Sequence, residues 1–259
     1  MSYIRYEVTD AVAVVTIDRP EKRNAMSYAV LRDFNDAITR AGQDSSARAV
    51  VITGAGGAFC AGTDLSDLAG TPTDARGTRA GGEAAPTGWL IQQCPKPVIA
   101  AVDGAAVGMG AEFTTQCDVR LASTRARFAW NFVHRGLVPD TGAASWLLPR
   151  QIGLTAALQL VLSGDFLPAS EALALGYVTA VVEPELLVEA ACAEARRLSQ
   201  GSPLASRLAK ELMYAGLERG VADHLGHTRR ALATCFASED HREGVAAFLE
   251  RREARFVGR

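Results

Sequence analysis

The hydrophobic positions in the first half of the chain fall in short runs that predict β-strands. Tyr3–Val8 and Val12–Ile17 are two such runs joined by Thr9-Asp10, which is typical of a hairpin. Ala49–Ile52 and Val98–Val102 are continuous apolar runs rather than alternating ones. Because a continuous run is expected where both faces of a strand are buried, this half of the chain predicts a sheet that is covered by helices.

Apolar residues that recur every three or four positions predict helices elsewhere in the chain. From Ser27 to Ala41 they fall at Val30, Phe34 and Ile38. Ser27 directly precedes this pattern, and serine is a favoured N-cap residue because its hydroxyl accepts from an unpaired backbone N–H. The pattern therefore predicts a helix that begins at Ser27.

The second half of the chain has a mainly helical pattern. Its predicted elements are an apolar helical face from Leu154 to Leu162, a strand-like run at Tyr177–Val182, and helices at Leu186–Leu198, Pro203–Leu217, Val221–Phe236 and from Glu239 onward. The chain is thus predicted to be an α/β protein, with a core in residues 1–195 and a helical region in residues 196–259. Such a helical region is expected to pack on the core or on a neighbouring subunit.

Composition narrows the class of protein. With 259 residues and 48% hydrophobic content, the chain is long enough to bury a sizeable core. Its net charge of −2 does not favour nucleic acid. Its five cysteines include no C-x-x-C pair, which argues against a disulfide framework and a structural zinc site. We find no signal-peptide pattern and no apolar run of the roughly 18 residues that a membrane span needs. We therefore expect a cytoplasmic protein with no membrane partner.

Two glycine-containing segments carry the candidate chemistry. They are Gly56–Leu65 (GGAFCAGTDL) and Val102–Glu112 (VDGAAVGMGAE), and each follows a predicted strand and leads into a predicted helix. Glycine permits close approach of the backbone to a ligand, and the start of a helix leaves N–H groups unpaired. Two such N–H groups that converge on one oxygen would stabilise an enolate, each by a factor of about a hundred to a thousand in rate.

Both segments also admit other interpretations. Gly62 and Gly108 could serve turns alone, and Asp64 could be only a helix cap. The second segment also fits the G-x-x-x-G-x-G pattern with which short-chain dehydrogenases bind a dinucleotide. That pattern belongs to the first strand–helix unit, whereas Gly104 lies mid-chain, and no tyrosine is followed four residues later by a lysine. A dinucleotide site is therefore not favoured.

Taken together, these segments resemble one known family. Phe59–Leu65 and Gly104–Gly110 look like the paired segments of the crotonase superfamily of enoyl-CoA hydratases and isomerases. Arg19–Met26 and Phe236–Arg252 are similar to that family's N-terminal motif and last helix. The resemblance implies a ββα-spiral core with a helical C-terminal region that assembles into a homotrimer or a hexamer. It also implies an acyl-CoA thioester as substrate, with no cofactor beyond that coenzyme A moiety.

The resemblance further implies which residues hold the substrate. The backbone N–H groups of Thr63 and Met109 would form the oxyanion hole, and Ala61 would lie beside the adenine. The residues expected at the coenzyme A moiety are Arg23, Ala61, Asp64, Leu65, Gly110, Phe248 and Arg251. The wider set of basic candidates for its phosphates adds Arg19, Lys22 and Arg255, and the alternative for each basic residue is an ordinary solvated side chain. The Gly- and Ala-rich Ala69–Gly88 predicts a mobile loop, with a flap that shapes the acyl pocket as the alternative.

Two carboxylates are candidates for acid–base chemistry. A hydratase of this family uses two glutamates to activate water; Glu112 matches the first, but Phe132 stands at the position of the second. Asp140 matches the position of the acid in several family isomerases, including those that act on ring-epoxide phenylacetyl-CoA. One carboxylate suffices to move a proton between carbons. The alternatives are a Pro-Asp-Thr-Gly turn for Asp140 and a carboxylate in the first turn of a helix for Glu112.

The sequence favours an enoyl-CoA isomerase-type enzyme that uses Asp140, with Glu112 as a second candidate acid. Two other functions stay open at this point. One is a hydratase whose water site uses Glu112 and another group, and the other is a non-catalytic acyl-CoA-binding homologue. The nature of the acyl group is not evident from the sequence.

Overall fold

The computed structural model describes residues 2–64 and 89–259, and two sheets organise them. The strands of the described residues are β1 (Ile4–Thr9), β2 (Val12–Ile17), β3 (Ala49–Gly54), β4 (Val98–Val102), β5 (Ala105–Val107), β6 (Val119–Ser123), β7 (Arg127–Ala129), β8 (Leu167–Pro168) and β9 (Ala180–Val182). The larger sheet has the order β1-β2-β3-β4-β6-β9, in which only the β1–β2 hairpin is antiparallel. The smaller sheet has the order β5-β7-β8.

Helices connect and cover these strands. Those of the described residues are α1 (Tyr28–Gln43), α2 (Leu90–Gln93), α3 (Met109–Gln116), α4 (Ala143–Trp146), α5 (Leu148–Ile152), α6 (Leu154–Ser163), α7 (Ala169–Ala174), α8 (Leu187–Leu198), α9 (Pro203–Gly216), α10 (Val221–Ala237) and α11 (Glu239–Glu250). The predicted cap of α1 is confirmed, because the Ser27 hydroxyl accepts from the Val30 N–H at 3.3 Å. None of these described helices is long and apolar enough to cross a bilayer.

The parallel strands are buried on both faces, as their continuous apolar runs predict. In β3, Val50 and Ile52 belong to the main hydrophobic core, whereas Ala49 and Val51 belong to a second cluster on the other face. Helix α8 covers that second cluster with Leu187, Ala191 and Ala195. Because each large aliphatic side chain contributes about 1.5–3 kcal/mol when fully buried, this sheet is a stable platform for the loops at its ends.

One predicted strand is shorter than the sequence suggested. The run Tyr177–Val182 pairs with β6 only over Ala180–Val182. Tyr177 lies instead in the core, where its hydroxyl is 2.8 Å from the Thr114 hydroxyl oxygen and 3.1 Å from that of Thr115. The first part of the apolar run is therefore used for core packing rather than for strand pairing.

The C-terminal region is attached at the amino-terminal end of the parallel strands. Arg48, which directly precedes β3, donates to the carbonyl oxygens of Ser199, Gly201 and Phe256 at 3.3, 2.6 and 3.3 Å. The glycine-containing segments follow β3 and β4 and so begin at the opposite end of the sheet. The proposed boundary between residues 1–195 and 196–259 stays a prediction, and α8 runs across it.

Candidate active site

The first glycine-containing segment runs between two other stretches of backbone. On one side, the Cys60 N–H donates to the Ala105 carbonyl at 3.0 Å, and the Val107 N–H donates to the Cys60 carbonyl at 2.9 Å. On the other side, the Met26 N–H donates to the Gly62 carbonyl at 2.8 Å. Residues 59–64 and 104–110 are thus held together by main-chain bonds, and we call them the oxyanion region.

Two backbone N–H groups of the oxyanion region, those of Thr63 and Met109, are the ones predicted to bind the oxyanion. Within the residues that the structure describes, neither the Thr63 nor the Met109 N–H donates to a backbone acceptor. Gly62 has φ +96°, and a Cβ placed on it would lie 2.9 Å from the Val107 carbonyl oxygen and 3.7 Å from the Met109 nitrogen. Met109 is also the first residue of α3, so its N–H carries the positive partial charge of a helix start. The assignment of these two groups as an oxyanion hole stays a prediction.

Phe132 forms an apolar wall beside the oxyanion region. Its side chain is buried, and a Cβ placed on Gly108 would lie 3.9 Å from the tip of the Phe132 ring, Cζ. The ring therefore packs against the residue that directly precedes Met109. The resemblance places the second glutamate of a hydratase at this position. In this chain the aromatic ring of Phe132, and not a carboxylate, lies beside Gly108.

Glu112 lies in the first turn of α3 and is fully buried. Its Oε2 accepts from the Thr141 hydroxyl at 2.6 Å and from the Ala143 N–H at 2.9 Å, and its Oε1 accepts from the Ala144 N–H at 2.9 Å. Burial raises the pKa of Glu112 to about 7; the Thr141 hydrogen bond opposes this rise and the charge of Asp140 adds to it. Glu112 can therefore exchange a proton near neutral pH, but it is closely bound to residues 141–144.

Asp140 lies on the exposed turn between β7 and α4. The Gly142 N–H donates to the Pro139 carbonyl at 3.2 Å and closes this turn. Burial raises the pKa of the Cys60 thiol to about 12, and the charge of Asp140 adds to that rise as it does for Glu112. Asp140 is therefore within electrostatic range of both α3 and the oxyanion region. We call residues 139–144 the acid turn.

Comparisons with known proteins show the family of this chain. The family model described as enoyl-CoA hydratase/isomerase matches residues 7–259. The chain belongs to this family. It is therefore an acyl-CoA enzyme of the enoyl-CoA hydratase/isomerase family, and the predicted membership of the crotonase superfamily is confirmed.

Relatives of this family member are similar over the whole chain. A probable enoyl-CoA hydratase of Rhodobacter capsulatus is 39% identical over 100% of both chains. A short-chain-enoyl-CoA hydratase of Clostridium acetobutylicum is 35% identical over 93% of this chain and 92% of its own. The crystal structure of an enoyl-CoA hydratase from Bacillus anthracis superposes with a TM-score of 0.89 at 30% identity, covering 100% of both chains. These matches confirm the predicted crotonase fold.

Two of the residues predicted at coenzyme A lie next to each other in this family member. The Ala61 N–H donates to the Arg23 carbonyl at 3.0 Å, and the Arg23 side chain is exposed. Gly110 is buried, and a Cβ placed on it would lie only 2.3 Å from the Cys60 carbonyl oxygen. Gly110 therefore allows α3 to approach the first segment, which is a reason for glycine that is independent of any ligand.

Asp64 is bound to the N-terminal segment. Its carboxylate forms an ion pair with Arg19 at 2.8 Å, and both side chains are largely buried. Arg19 also donates to the Ala25 carbonyl at 3.1 Å. The pair ties the residue after Thr63 to the chain around residue 25, so both partners have a structural role, and a contact of Asp64 with coenzyme A stays a prediction.

Two of the remaining residues predicted at coenzyme A lie on the last helix. Phe248 and Arg251 lie at the end of α11, and Phe248 is 82% exposed. The start of α11 is held near the amino-terminal end of the sheet, because the Asp240 carboxylate accepts from the Ser202 hydroxyl and the Val257 N–H. Leu65 and the predicted loop at Ala69–Gly88 lie outside the described residues.

Two residues organise the site without having been predicted to do so. Asn24 is buried, and its side-chain amide donates to the carbonyl oxygens of Ala55 at 2.9 Å and Ala58 at 2.6 Å. Thr141 binds Glu112 from the acid turn. The only signal for Asn24 was its place in the family-like Arg19–Met26 motif, and none marked Thr141, because its partner is remote in sequence. Within the described residues no group of His, Cys, Asp or Glu side chains could hold a metal ion.

Proposed function

We propose that this family member is an enoyl-CoA isomerase-type enzyme. In this proposal the N–H groups of Thr63 and Met109 hold the thioester carbonyl of an acyl-CoA, and Asp140 moves a proton between two carbons of the acyl chain. The observation that carries the proposal is the buried ring of Phe132 against Gly108, at the position where a hydratase of this family has its second glutamate.

The proposed reaction needs one carboxylate and one oxyanion site. The Asp140 carboxylate takes a proton from Cα of a 3-enoyl thioester, and the electron pair of that C–H bond forms a dienolate whose negative charge rests on the thioester oxygen. The N–H groups of Thr63 and Met109 stabilise that charge. Asp140 then returns the proton to Cγ, the thioester carbonyl re-forms, and the double bond lies between Cα and Cβ. No atom is gained or lost, and no redox partner is required.

The coenzyme A moiety is proposed to lie beside Ala61 and Arg23. These residues are adjacent in space, and the exposed guanidinium of Arg23 suits an anionic phosphate. Ala61 belongs to the oxyanion region, where it precedes Gly62 and Thr63, and Arg23 is hydrogen-bonded to it. Because Ala61 and Thr63 are at most about 7 Å apart, coenzyme A would bind in a bent form with its adenine beside Ala61 and its thioester at Thr63.

Hydration of a 2-enoyl-CoA is the second candidate function. The relatives reported above carry the names of hydratases. Glu112, which matches one hydratase glutamate, has a pKa raised by burial to about 7, and this value suits a general acid or base near neutral pH. A hydratase would require Glu112 and a group other than residue 132 to bind the attacking water.

We also propose that the enzyme is a homotrimer or a hexamer. Several large apolar side chains of α6, α10 and α11 are exposed on the single chain: Leu154, Leu158, Leu162, Val221, Leu225, Leu232, Phe236, Val245, Phe248 and Leu249. Exposed apolar surface of this extent is typical of a subunit contact. Sedimentation equilibrium would give the mass of the assembly, and a monomer would contradict the proposal.

Product analysis in deuterated water tests the proposed reaction. The enzyme would be incubated separately with 3-hexenoyl-CoA and with 2-hexenoyl-CoA, and the products analysed by mass spectrometry. We expect a shifted double bond with no water added, and deuterium at the new C–H bond because the exposed Asp140 carboxyl exchanges its proton with the solvent before returning it. A gain of one water from the 2-enoyl substrate would instead assign the enzyme to the hydratases.

Replacement of the proposed acid makes the test specific. Asp140→Asn is expected to lower kcat by about 10³-fold while binding of the acyl-CoA changes little, because proton transfer is lost and the N–H pair is kept. Asp165→Asn is the matched control, since Asp165 is another exposed aspartate outside the helices and strands. Full activity of the Asp140→Asn variant would refute the role of this residue.

A further inference from the structure

We propose that Glu112 and Thr141 are positioning residues that hold the acid turn, and with it Asp140, against the oxyanion region. In this proposal neither residue carries a proton to or from the substrate. The inference rests on the proposed function, because it takes Asp140 as the group that transfers the proton.

The Glu112 carboxylate is already occupied by the acid turn. Its three hydrogen-bond donors are the Thr141 hydroxyl and the N–H groups of Ala143 and Ala144. A carboxylate has about four acceptor positions, so most of them are filled by residues of a single turn. The Glu112 side chain also has no exposed surface. It is therefore well placed to fix the start of α4 and poorly placed to turn toward a substrate carbon.

Thr141 joins the acid turn to two other parts of the site. Its hydroxyl donates to Glu112 at 2.6 Å and accepts from the Gln116 side chain at 3.3 Å, and both partners lie on α3. Its carbonyl oxygen accepts from the Trp89 indole N–H at 2.8 Å, just before α2. Since Asp140 is the neighbour of Thr141 in the chain, these bonds limit how far the backbone of Asp140 can move.

Helix α3 connects this anchor to the oxyanion region. Met109 is its first residue, and Glu112 follows three positions later, one helical turn away. Only one helical turn separates Glu112 from Met109. A hydrogen bond from the acid turn to Glu112 therefore fixes the position of the acid turn relative to the Met109 N–H. Because a misplacement of about 1 Å can cost about 10²-fold in rate, this anchor has a direct consequence for turnover.

Four variants test the proposal beside Asp140→Asn. They are Thr141→Val, which removes the hydroxyl, Thr141→Ser, which keeps it, Glu112→Gln, and the double variant Thr141→Val/Glu112→Gln. Turnover of 3-hexenoyl-CoA gives kcat and KM for each, and thermal unfolding shows that each is folded. Thr39→Val is the matched control, because the Thr39 hydroxyl also makes a hydrogen bond, to the Asn35 carbonyl at 2.9 Å, on an exposed part of α1.

The expected result is a graded and non-additive loss of kcat. Thr141→Val and Glu112→Gln should each lower kcat by about 10- to 100-fold and leave KM within about 3-fold, because a hydrogen bond to a charged group is lost. Thr141→Ser should recover most of that loss. The double variant should be within about 3-fold of Glu112→Gln alone, since both changes break one network.

Three outcomes would overturn the proposal. Glu112→Gln could lower kcat as deeply as Asp140→Asn, which would make Glu112 a proton-transferring group. The double variant could show the product of the single effects, or folded Thr141→Val could turn over at the wild-type rate. Where Thr141→Val does not fold, Thr141→Ser and Glu112→Gln decide the question. Full activity of Asp140→Asn would contradict the proposed function itself, and so the two failures are distinguishable.

Discussion

The oxyanion region and the acid turn are built in different ways. In the oxyanion region the groups proposed to act are backbone N–H groups, and main-chain hydrogen bonds among largely buried segments hold these segments in place. In the acid turn the proposed acid is the side chain of Asp140 on an exposed loop, and side chains such as Glu112 and Thr141 hold that loop. One region depends on the path of the backbone and the other on the identity of a few side chains.

This difference has a consequence for function. Backbone N–H groups are supplied by every residue except proline, so the oxyanion region requires mainly the glycines that let its segments approach. The acid turn requires a carboxylate, a hydroxyl and their partners at particular positions. Changes of reaction type within this architecture are therefore expected to come from the acid turn and from residue 132, while the oxyanion region sets the class of substrate.

The largest effect is expected from a change in the backbone path of the oxyanion region. Gly62→Ala would place a Cβ 2.9 Å from the Val107 carbonyl oxygen at φ +96°. We expect kcat to fall by about 10²- to 10³-fold, because the Thr63 N–H moves relative to the Met109 N–H. Steady-state kinetics on 3-hexenoyl-CoA measures this.

The control for that change is Gly153→Ala. Gly153 also has a positive φ of +84°, but a Cβ placed on it would meet nothing within 4 Å. Gly153→Ala therefore introduces backbone strain of the same kind without a steric clash. Equal losses of kcat in the two alanine variants would show that strain alone, and not the close approach at Gly62, explains the effect.

The next effect concerns the ion pair that supports the oxyanion region. Arg19→Met removes the partner at 2.8 Å from the largely buried Asp64 carboxylate. Breaking a buried pair from one side costs about 3–5 kcal/mol, so the free energy of unfolding in urea should fall by about that amount. Arg19→Met/Asp64→Asn should recover part of the loss. A single variant as stable as the wild type would mean that the pair contributes little.

A smaller and pH-dependent effect is expected in the acid turn. The folded-state pKa of Glu112 is about 7, above its ordinary value of 4.5, so the folded protein binds this proton more tightly than the unfolded chain does. The resulting stability is present below pH 4.5 and is lost as the pH rises through 7. At 1.36 kcal/mol for each pKa unit, the loss amounts to at most about 3 kcal/mol.

Glu112→Gln provides the measurement of this linkage. The glutamine does not titrate, so the free energy of unfolding of the wild type minus that of the variant should fall between pH 4.5 and pH 8. Urea unfolding of both proteins at several pH values would measure it. A difference that is constant across this range would contradict the raised pKa of Glu112.

The smallest effect is expected outside both regions. Arg207 and Glu211 form an exposed ion pair at 3.0 Å one turn apart on α9. Arg207→Ala should change the free energy of unfolding by less than about 0.5 kcal/mol and leave kcat unchanged, because solvent screens such a pair. This variant sets the baseline for the others in urea unfolding. A loss above about 1 kcal/mol would show a role that its exposure does not suggest.

Local signals in the sequence were sufficient for most elements of the fold. The runs at Val12–Ile17 and Val98–Val102 form strands with the predicted bounds, and Ser27 caps α1 as its position indicates. Such signals were not sufficient for Tyr177–Val182, where the observed strand covers only Ala180–Val182. Its apolar character indicated burial, but burial in the core and pairing in a sheet place the same demand on residue type, so the pattern could not separate them.

The candidate site likewise has parts that the sequence predicted and parts that it did not. The two glycine-containing segments were proposed from their glycine spacing, which is a local feature, and Asp140 was proposed from the resemblance to family isomerases. The contact of Glu112 with Thr141 spans 29 positions, and the bonds of Asn24 to Ala55 and Ala58 span 31 and 34. No pattern of neighbouring residues encodes a contact of that separation.

The sequence by itself determined the class of fold, the family and the chemistry available: two N–H-bearing segments, an aspartate, and a phenylalanine in place of a glutamate. Only the tertiary structure decided that Glu112 is buried and bound by the acid turn, and that Phe132 packs on Gly108. The physical reason is that residue type sets what a group can do, whereas burial and hydrogen-bond partners depend on segments that folding alone brings together.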